Sequence, residues 1–283
     1  MRLSATTGML LSRLGMEKTL EYLSNAGFDG VDFSYDLGDD YEGVGEDYIE
    51  FAHKMKALLD KYGLDCVQAH APYTLGENHK FDESEPLFKK VVRSIESASI
   101  LGTKKIVVHT IDVSPSNDVC EVNYRYYKAL QPYAEKFDMI IGIENLFTWV
   151  PAQKMHVGRL SRPLEMNAFV KSLNSPHFAV CVDVGHASIT GVEPEEYIAN
   201  IDADLLKVLH VHDNDYFYDL HLLPFMGDLN FANITAQLKK KGYKGDLSYE
   251  VGGFIKKVPD DFLPTALKYA AEVGRYLISK IED

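Results

Sequence analysis

The chain has 283 residues, 46% of them apolar, which is enough for a sizeable core that folds without disulfide bonds. Its three cysteines are too few for a disulfide framework, and no apolar run resembles a signal peptide or approaches the ~18 residues of a membrane span, so we expect a soluble cytoplasmic protein. The formal net charge of −13 predicts a surface that repels nucleic acid and anionic lipid.

Short Val- and Ile-rich runs alternate with longer segments whose apolar residues recur every three or four positions, a pattern typical of repeated strand–helix units. In chain order the predicted strands are residues 2–8, 30–35, 65–72, 104–110, 139–145, 178–185, 205–214 and 245–252. A predicted helix follows each strand, and four glycines are expected to end helices: Gly27, Gly63, Gly102 and Gly242.

Eight uninterrupted strand–helix pairs predict a single-domain α/β fold, a (β/α)8 TIM barrel over residues 1–283, with its site at the carboxyl ends of the strands. A doubly wound open sheet is the less favoured alternative, because the first strand lacks a Gly-rich phosphate-binding turn.

Ionisable side chains recur at the ends of the last six predicted strands. They are His70, His109, Glu144, Asp183 with His186, His210 with His212, and Glu250. Side chains alternate between the barrel interior and the helix layer, and the bulky residues Ile141 and Ile143 take the opposite parity to Glu144. The same alternation holds around most of the others. These ionisable side chains are therefore predicted to point into the barrel mouth.

Several carboxylates and imidazoles at one mouth indicate a bound divalent cation, because buried charges without a partner are costly. Mixed imidazole and carboxylate ligands suit Zn, Mn, Co or Fe rather than Ca. Asp219 and His221, a D-x-H pair after the seventh strand, add two candidates on a loop. Each residue alone has an ordinary interpretation as a core histidine or a capping aspartate, but their joint recurrence favours a metal centre.

This ordered set of residues resembles that of the xylose isomerase-like barrel superfamily, which contains sugar-phosphate isomerases and epimerases, ketose 3-epimerases and the endonuclease IV group of DNA-repair enzymes. The matching pieces are QAHAPY (68–73), VVHT (107–110), GIEN (142–145), CVDVGHA (181–187), LHVHDND (209–215), DLH (219–221) and GYKGDLSYE (242–250). They span the third to the eighth predicted strand.

The resemblance implies two ligand sets. In the epimerase branch a single ion would be held by residues that look like Glu144, Asp183, His210 and Glu250, with His212 an alternative to His210. In the endonuclease branch a cluster of three ions would add residues that look like His70, His109, His186, Asp219 and His221. We expect one ion, with up to three as the alternative.

As an isomerase or epimerase, the protein would use Glu144 and Glu250 to remove and return a proton at a carbon next to a carbonyl, through an enediolate. His186 would orient a substrate hydroxyl. A metal-driven hydride shift would use the same ligands and stays open. Further candidate contacts to a small sugar substrate are Tyr73, Trp149, Arg159 and His212.

The main alternative is an endonuclease IV-like multi-zinc phosphodiesterase, which the full ligand set favours. Charge opposes it, because the segment YDLGDDYEGVGEDYIE (35–50) is acidic and contains no base that would contact nucleic acid. Met226, Gly227 and Asp228 stand where the superfamily often has a Gly-Glu-Gly turn, which leaves the hydrogen bonds of that loop open. A barrel that binds metal without catalysis is a third hypothesis, and a homo-oligomer is expected only from the resemblance.

Overall fold

The computed structural model describes residues 1–35, 41–73, 81–111, 119–150, 152, 154–158 and 160–282. The strands are β1 (Leu3–Thr6), β2 (Gly30–Ser34), β3 (Asp65–His70), β4 (Lys105–Val107), β5 (Ile140–Glu144), β6 (Thr148–Val150), β7 (Met155–Val157), β8 (Phe178–Asp183), β9 (Leu206–Val211) and β10 (Leu247–Tyr249). The helices are α1 (Gly8–Leu14), α2 (Met16–Ala26), α3 (Tyr48–Tyr62), α4 (Pro86–Leu101), α5 (Val119–Phe137), α6 (Pro163–Ser172), α7 (Val184–Ile189), α8 (Pro194–Asn200), α9 (Phe231–Lys241), α10 (Gly252–Ile255) and α11 (Leu263–Glu282), with a 3-10 turn at Glu42–Val44.

Eight parallel strands close into a barrel in the order β1-β10-β9-β8-β5-β4-β3-β2, with helices between successive strands. The predicted (β/α)8 TIM barrel is confirmed, and closure excludes the doubly wound open sheet. The remaining strands, β6 and β7, form an antiparallel hairpin that the sequence did not predict. Within the described ranges, no helix is both long enough and apolar enough to cross a membrane.

Glycine ends four of the helices that lead into the next strand, as predicted. Gly27, Gly63, Gly102 and Gly242 follow α2, α3, α4 and α9, each with a φ between 65° and 95°. In this left-handed region a side chain is strained and glycine is not, so the chain can turn from each helix toward the barrel.

Alternation along the strands separates two apolar regions. Ile141, Ile143, Val180 and Val182 belong to the large core between the barrel and its helices. Inside the barrel, a small separate cluster of Val107, Cys181 and Val208 fills one half of the lumen. The other half of the lumen is polar and contains the fully buried residues Ser4, Asp32 and Ser248, together with the nearly buried Gln68. The barrel interior thus forms the floor beneath the predicted mouth.

Candidate metal and substrate site

Four side chains predicted as ligands of a single ion converge at the mouth of the barrel. Glu144 ends β5, Asp183 ends β8, His210 lies on β9 and Glu250 follows β10. Nδ1 of His210 lies 3.3 Å from Oε1 of Glu144, 3.4 Å from Oε1 of Glu250 and 4.0 Å from Oδ2 of Asp183. Because adjacent parallel strands end at one rim, residues separated by more than a hundred positions meet around one point.

A second group of potential ligands shares Glu144. Nε2 of His109 lies 2.9 Å from Oε2 of Glu144, and Nε2 of His70 lies 2.8 Å from Nε2 of His109. The ligand atoms of these three residues all lie within 4.8 Å of one another. The ring of Tyr73 packs against His109, with 4.2 Å between ring centroids.

A third group at the mouth contains His186, His212, Asp219 and His221, whose ligand atoms also lie within 4.8 Å of one another. Asp219 is central: Oδ2 lies 2.9 Å from Nε2 of His221 and 3.6 Å from Nε2 of His186. Its Oδ1 lies 3.6 Å from Nε2 of His212. The D-x-H pair therefore lies at the mouth, on a loop that an antiparallel bridge between Asp213 and Leu222 closes.

Buried oxygen atoms in these groups fit a cation. Oδ2 of Asp183 and Oδ1 of Asp219 are buried and have no hydrogen-bond partner within the described part of the chain. A carboxylate oxygen without a donor is costly to bury, and a divalent cation offsets that cost. The donors are imidazole nitrogen and carboxylate oxygen, a set that suits Zn, Mn, Co or Fe.

Carboxylates and imidazoles at the mouth shift each other's pKa. Burial acts to raise the pKa of Glu144, but the charges of His210 and His109 outweigh it and hold the pKa well below its usual range. Burial acts to lower the pKa of His221, but the hydrogen bond and charge of Asp219 outweigh it and raise the pKa to about 9. Because imidazoles bind a metal in their neutral form, a cation bound at His221 would release the proton of that ring.

Asp183 and His186 lie where the buried strand β8 passes into helix α7. Asp183 ends β8 and also caps α7, because its Oδ1 accepts a hydrogen bond of 2.7 Å from the backbone N–H of His186. The capping turn directs His186 back across the mouth, where its Nδ1 lies 3.1 Å from Oε1 of Glu144. Gly185 is required between them, since a Cβ there would lie 2.0 Å from the ring of His212.

The loop at Met226–Asp228, where the expected Gly-Glu-Gly turn is absent, is held by a different carboxylate. The buried Asp213 accepts hydrogen bonds from the backbone N–H groups of Gly227 at 2.8 Å and Leu229 at 3.1 Å. A Cβ at Gly227 would lie 2.4 Å from the carbonyl oxygen of Asn214, so only glycine fits there. The loop after β9 is therefore fixed close to the mouth.

The four residues predicted to contact substrate lie in different surroundings. Tyr73 is partly exposed beside His70 and His109, and Trp149 lies on β6 with 40% of its surface exposed. The ring of His212 is fully buried, 3.0 Å from Oδ1 of Asp183 and stacked on His221, which places it among the potential ligands rather than at the open surface. Arg159 lies outside the described residues.

An aromatic row connects the potential ligands to the hairpin. Phe147 packs against His186 with 5.1 Å between ring centroids, and against His156 of β7 with 4.9 Å. Trp149 contacts the same His156 and also Phe217, with centroid separations of 4.9 Å and 5.5 Å. This aromatic row forms one wall of the mouth and ends at the exposed Tyr218, beside Phe217.

Sequence reasoning missed Asp32. It lies in the middle of β2, is fully buried, and its Oδ2 lies 3.3 Å from Nε2 of His210. The sequence does contain an indication of its role. Asp32 stands between the apolar residues Val31 and Phe33, with the same inward parity as the strand-end residues.

A closed parallel barrel whose mouth gathers carboxylates and imidazoles defines the class of fold and site. The chain belongs to the xylose isomerase-like TIM barrel family, whose model matches residues 20–273. Among curated proteins, the uncharacterized protein MJ1311 of Methanocaldococcus jannaschii is 30% identical over 202 residues, which cover 68% of this chain and 66% of that protein. Fructoselysine 3-epimerase of Shigella flexneri is 22% identical over 277 residues, covering 93% and 95% of the two chains.

Solved structures share the fold over nearly the whole chain. A D-tagatose 3-epimerase-like protein superimposes with a TM-score of 0.78 at 22% identity and covers 99% of this chain and 98% of its own. The IOLI protein, solved with a bound zinc atom, has the same TM-score of 0.78 at 15% identity and covers 99% of both chains. At these identities the superpositions establish the barrel fold alone.

Proposed function

We propose that this protein is a metal-dependent epimerase or isomerase that acts on a ketose or its phosphate by proton transfer through an enediolate of the substrate. The observation that carries the proposal is the pair of carboxylates on either side of His210. Glu144 and Glu250 approach the same Nδ1 within 3.3 Å and 3.4 Å, although they come from β5 and from the segment after β10. Two carboxylates around one point can remove and return a proton at the same substrate carbon from two directions.

The residues that would hold the ion are Glu144, Asp183, His210 and Glu250. A bound divalent cation supplies Lewis acidity, which lowers the pKa of a C–H group next to a carbonyl. Asp183 is fully buried and hydrogen-bonded to the backbone of α7, so it suits a fixed ligand. The side chain of Glu250 retains 12% exposure and is therefore accessible from the mouth.

Proton transfer is assigned to Glu144 and Glu250. One carboxylate removes the proton from the reacting carbon, and the other returns a proton to the opposite face or to the neighbouring carbon. The pKa of each carboxyl lies below its ordinary value, in Glu250 because His210 and His70 outweigh the effect of burial. Each is therefore ionised and able to act as the base, and we propose that His186, beside Glu144, orients a substrate hydroxyl.

The walls of the mouth suit a sugar. Tyr73 lies on one side, beside His109, and the aromatic row from Phe147 to Trp149 lies on the other. Aromatic faces pack against the C–H surface of a sugar ring while polar groups at the base bind its hydroxyls. Support for this substrate class also comes from the relative named fructoselysine 3-epimerase and from the D-tagatose 3-epimerase-like structure.

A multi-metal phosphodiesterase is the second candidate, and one specific observation favours it. The groups His70, His109, Glu144 and His186, His212, Asp219, His221 lie beside the first and could hold two further ions. The charge of the chain opposes it, since a formal net charge of −13 disfavours a polyanionic nucleic acid. We therefore rank proton transfer on a sugar first.

Deuterium exchange tests the proposal. The protein, loaded with Mn²⁺ or Co²⁺, is incubated in D₂O with free ketoses, ketose phosphates and ketoses conjugated to an amine, and NMR follows the carbons next to the carbonyl. We expect deuterium at the reacting carbon together with the epimer or isomer. Product formed without exchange would contradict the two-carboxylate mechanism. Efficient incision of a duplex containing an abasic site, with no sugar turned over, would favour the second candidate.

A further inference from the structure

Asp32 is a buried carboxylate to which the proposed reaction assigns no role. It lies in the middle of β2, has no exposed surface, and points into the polar half of the lumen, one layer below the mouth. Its neighbours Val31 and Phe33 belong to the core between barrel and helices. Burying a carboxylate at such a position costs free energy unless a nearby group stabilises its charge. The presence of Asp32 therefore indicates a specific partner.

The partner is His210, whose two ring nitrogens face different groups. Nδ1 faces Glu144 and Glu250 at 3.3 Å and 3.4 Å, whereas Nε2 faces Oδ2 of Asp32 at 3.3 Å. His210 has no exposed surface, so water from the bulk does not reach Nε2. An imidazole that offers the lone pair of Nδ1 to a cation carries its proton on Nε2, and that proton needs an acceptor.

Asp32 is itself held in place. Nε2 of Gln68, on the neighbouring strand β3, donates a hydrogen bond of 2.7 Å to Oδ2 of Asp32, and Oγ of Ser248 lies 3.5 Å from the same oxygen. The acceptor is therefore fixed by two other barrel strands. Its position is set by the barrel rather than by a loop.

We propose that Asp32 is a positioning residue that keeps His210 in the tautomer with a proton on Nε2 and so presents Nδ1 to a divalent cation at the mouth. This inference rests on the metal centre of the proposed function. Partners of this kind orient ligand histidines and raise their basicity, and their loss typically lowers metal affinity about 10- to 100-fold. Asp32 does this without contacting the substrate.

Cobalt binding tests the inference independently of turnover. The dissociation constant for Co²⁺ and its visible absorption spectrum are measured for the wild type, Asp32→Ala and Asp32→Asn. We expect Asp32→Ala to weaken binding about 10- to 100-fold and to alter the spectrum. Asp32→Asn keeps an oxygen facing Nε2, so we expect a loss several-fold smaller. Asp65→Asn, which removes the charge of a largely exposed aspartate at the start of β3, is the matched control and should bind Co²⁺ as the wild type does.

A double-mutant cycle identifies the route of the effect. In the background of His210→Ala, Asp32→Ala should weaken Co²⁺ binding less than twofold further, since Asp32 acts on the ion only through His210. An unchanged dissociation constant in Asp32→Ala, with the apo protein still folded by thermal melting, would overturn the inference.

A direct ligand role for Asp32 would give a different pattern, because its carboxylate also lies within 4.8 Å of ligand atoms of His70, His210 and Glu250. An equal loss in Asp32→Asn and Asp32→Ala would contradict positioning and point to that role. A wild-type protein that binds no Mn²⁺, Zn²⁺ or Co²⁺ would contradict the proposed function itself. Metal binding by the wild type without dependence on Asp32 would contradict this inference alone.

Discussion

The side-chain amide of Asn145 forms two hydrogen bonds with the backbone of Asp183, donating from Nδ2 to the carbonyl oxygen at 2.9 Å and accepting at Oδ1 from the N–H at 2.8 Å. Asn145 directly follows Glu144, so this pair fixes the ends of β5 and β8 relative to each other. The spacing between two proposed metal ligands is thus set by an amide that is not itself among the proposed ligands.

Asn145→Ala should therefore weaken metal binding while the barrel stays folded. Two buried backbone groups of Asp183 would lose their partners, which costs about 1–3 kcal/mol each in the free energy of unfolding. We expect an affinity loss of about 10-fold, typical for the loss of a group that orients a ligand. Calorimetric titration with Mn²⁺ measures the affinity, and urea unfolding measures the stability. Unchanged affinity in a protein destabilised by the expected amount would show that Asn145 serves only the fold.

The two proposed proton-transfer residues should respond alike to loss of their charge. Glu144→Gln and Glu250→Gln each keep the shape of the side chain but remove the base. Each should lower kcat about 10²- to 10⁴-fold. Hydrogen exchange at the reacting carbon should disappear with turnover in both variants. Glu96→Gln, which changes a glutamate that accepts a hydrogen bond from Tyr48 on the helix layer, is the control and should leave kcat unchanged. Exchange retained in either site variant would show that the other carboxylate suffices.

Metal content separates the one-ion from the three-ion centre. Asp219 and His221 belong only to the third ligand group, whereas Glu144 belongs to two groups. With one ion, His221→Ala should leave a single metal equivalent by mass spectrometry. With three ions, the wild type should contain three equivalents and His221→Ala about one fewer. Removal of metal with a chelator should lower the midpoint of thermal unfolding in either case, because an ion bound only to the folded state stabilises it.

The positions of the strand-end carboxylates and imidazoles could be predicted from the sequence because two simple regularities determine them. Alternation along each strand fixes which side chains face the lumen, and closure of the barrel brings all strand ends to one rim. Glu144, Asp183, His210 and Glu250 meet for this reason. Asp32 obeys the same alternation but lies in the middle of its strand, so a search of strand ends did not include it.

Loop geometry could not be predicted in this way. His221 reaches Asp219 from a backbone with φ of 49°, a left-handed conformation that no periodicity indicates. The approach of α10 to this loop needs Gly253, where a Cβ would lie 1.9 Å from the carbonyl oxygen of Leu220. The burial of His212 depends likewise on the absence of a side chain at Gly185. Such close contacts follow from packing between segments distant in sequence.

Trp149 should affect substrate binding more than chemistry. It lies on the hairpin, 40% exposed, and its ring packs against the rings of His156 and Phe217. Trp149→Ala should raise KM about 5- to 50-fold with little change in kcat, as expected for a contact made equally in the ground and transition states. Trp149→Phe should restore most of the affinity because a flat ring remains. A fall in kcat at unchanged KM would contradict a binding role for this wall.

An ion-pair network around Asp246, at the opposite end of the barrel, makes the stability of the fold depend on pH. Asp246 accepts hydrogen bonds from Nε and Nη2 of Arg2, each at 3.0 Å, and from Nζ of Lys105 at 2.6 Å. Burial acts to raise the pKa of Asp246, but these two cations outweigh it and lower the pKa below its ordinary value of 3.8. A carboxyl whose pKa is lower in the folded state stabilises the fold above its unfolded pKa, and this contribution is lost as the pH falls through the folded value.

We therefore expect the wild type to lose stability as the pH falls below about 4, and Asp246→Asn to lose less over the same interval. At pH 7 the variant should be less stable by about 1–3 kcal/mol, since a charge-assisted network keeps its cations but loses its anion. Urea unfolding midpoints at pH 7 and below pH 4 measure both effects. Asp138→Asn, which removes a carboxylate that is 80% exposed beside Lys104, is the matched control and should change the midpoint little at either pH. Parallel pH curves for the wild type and Asp246→Asn would show that the charge of Asp246 does not stabilise the barrel.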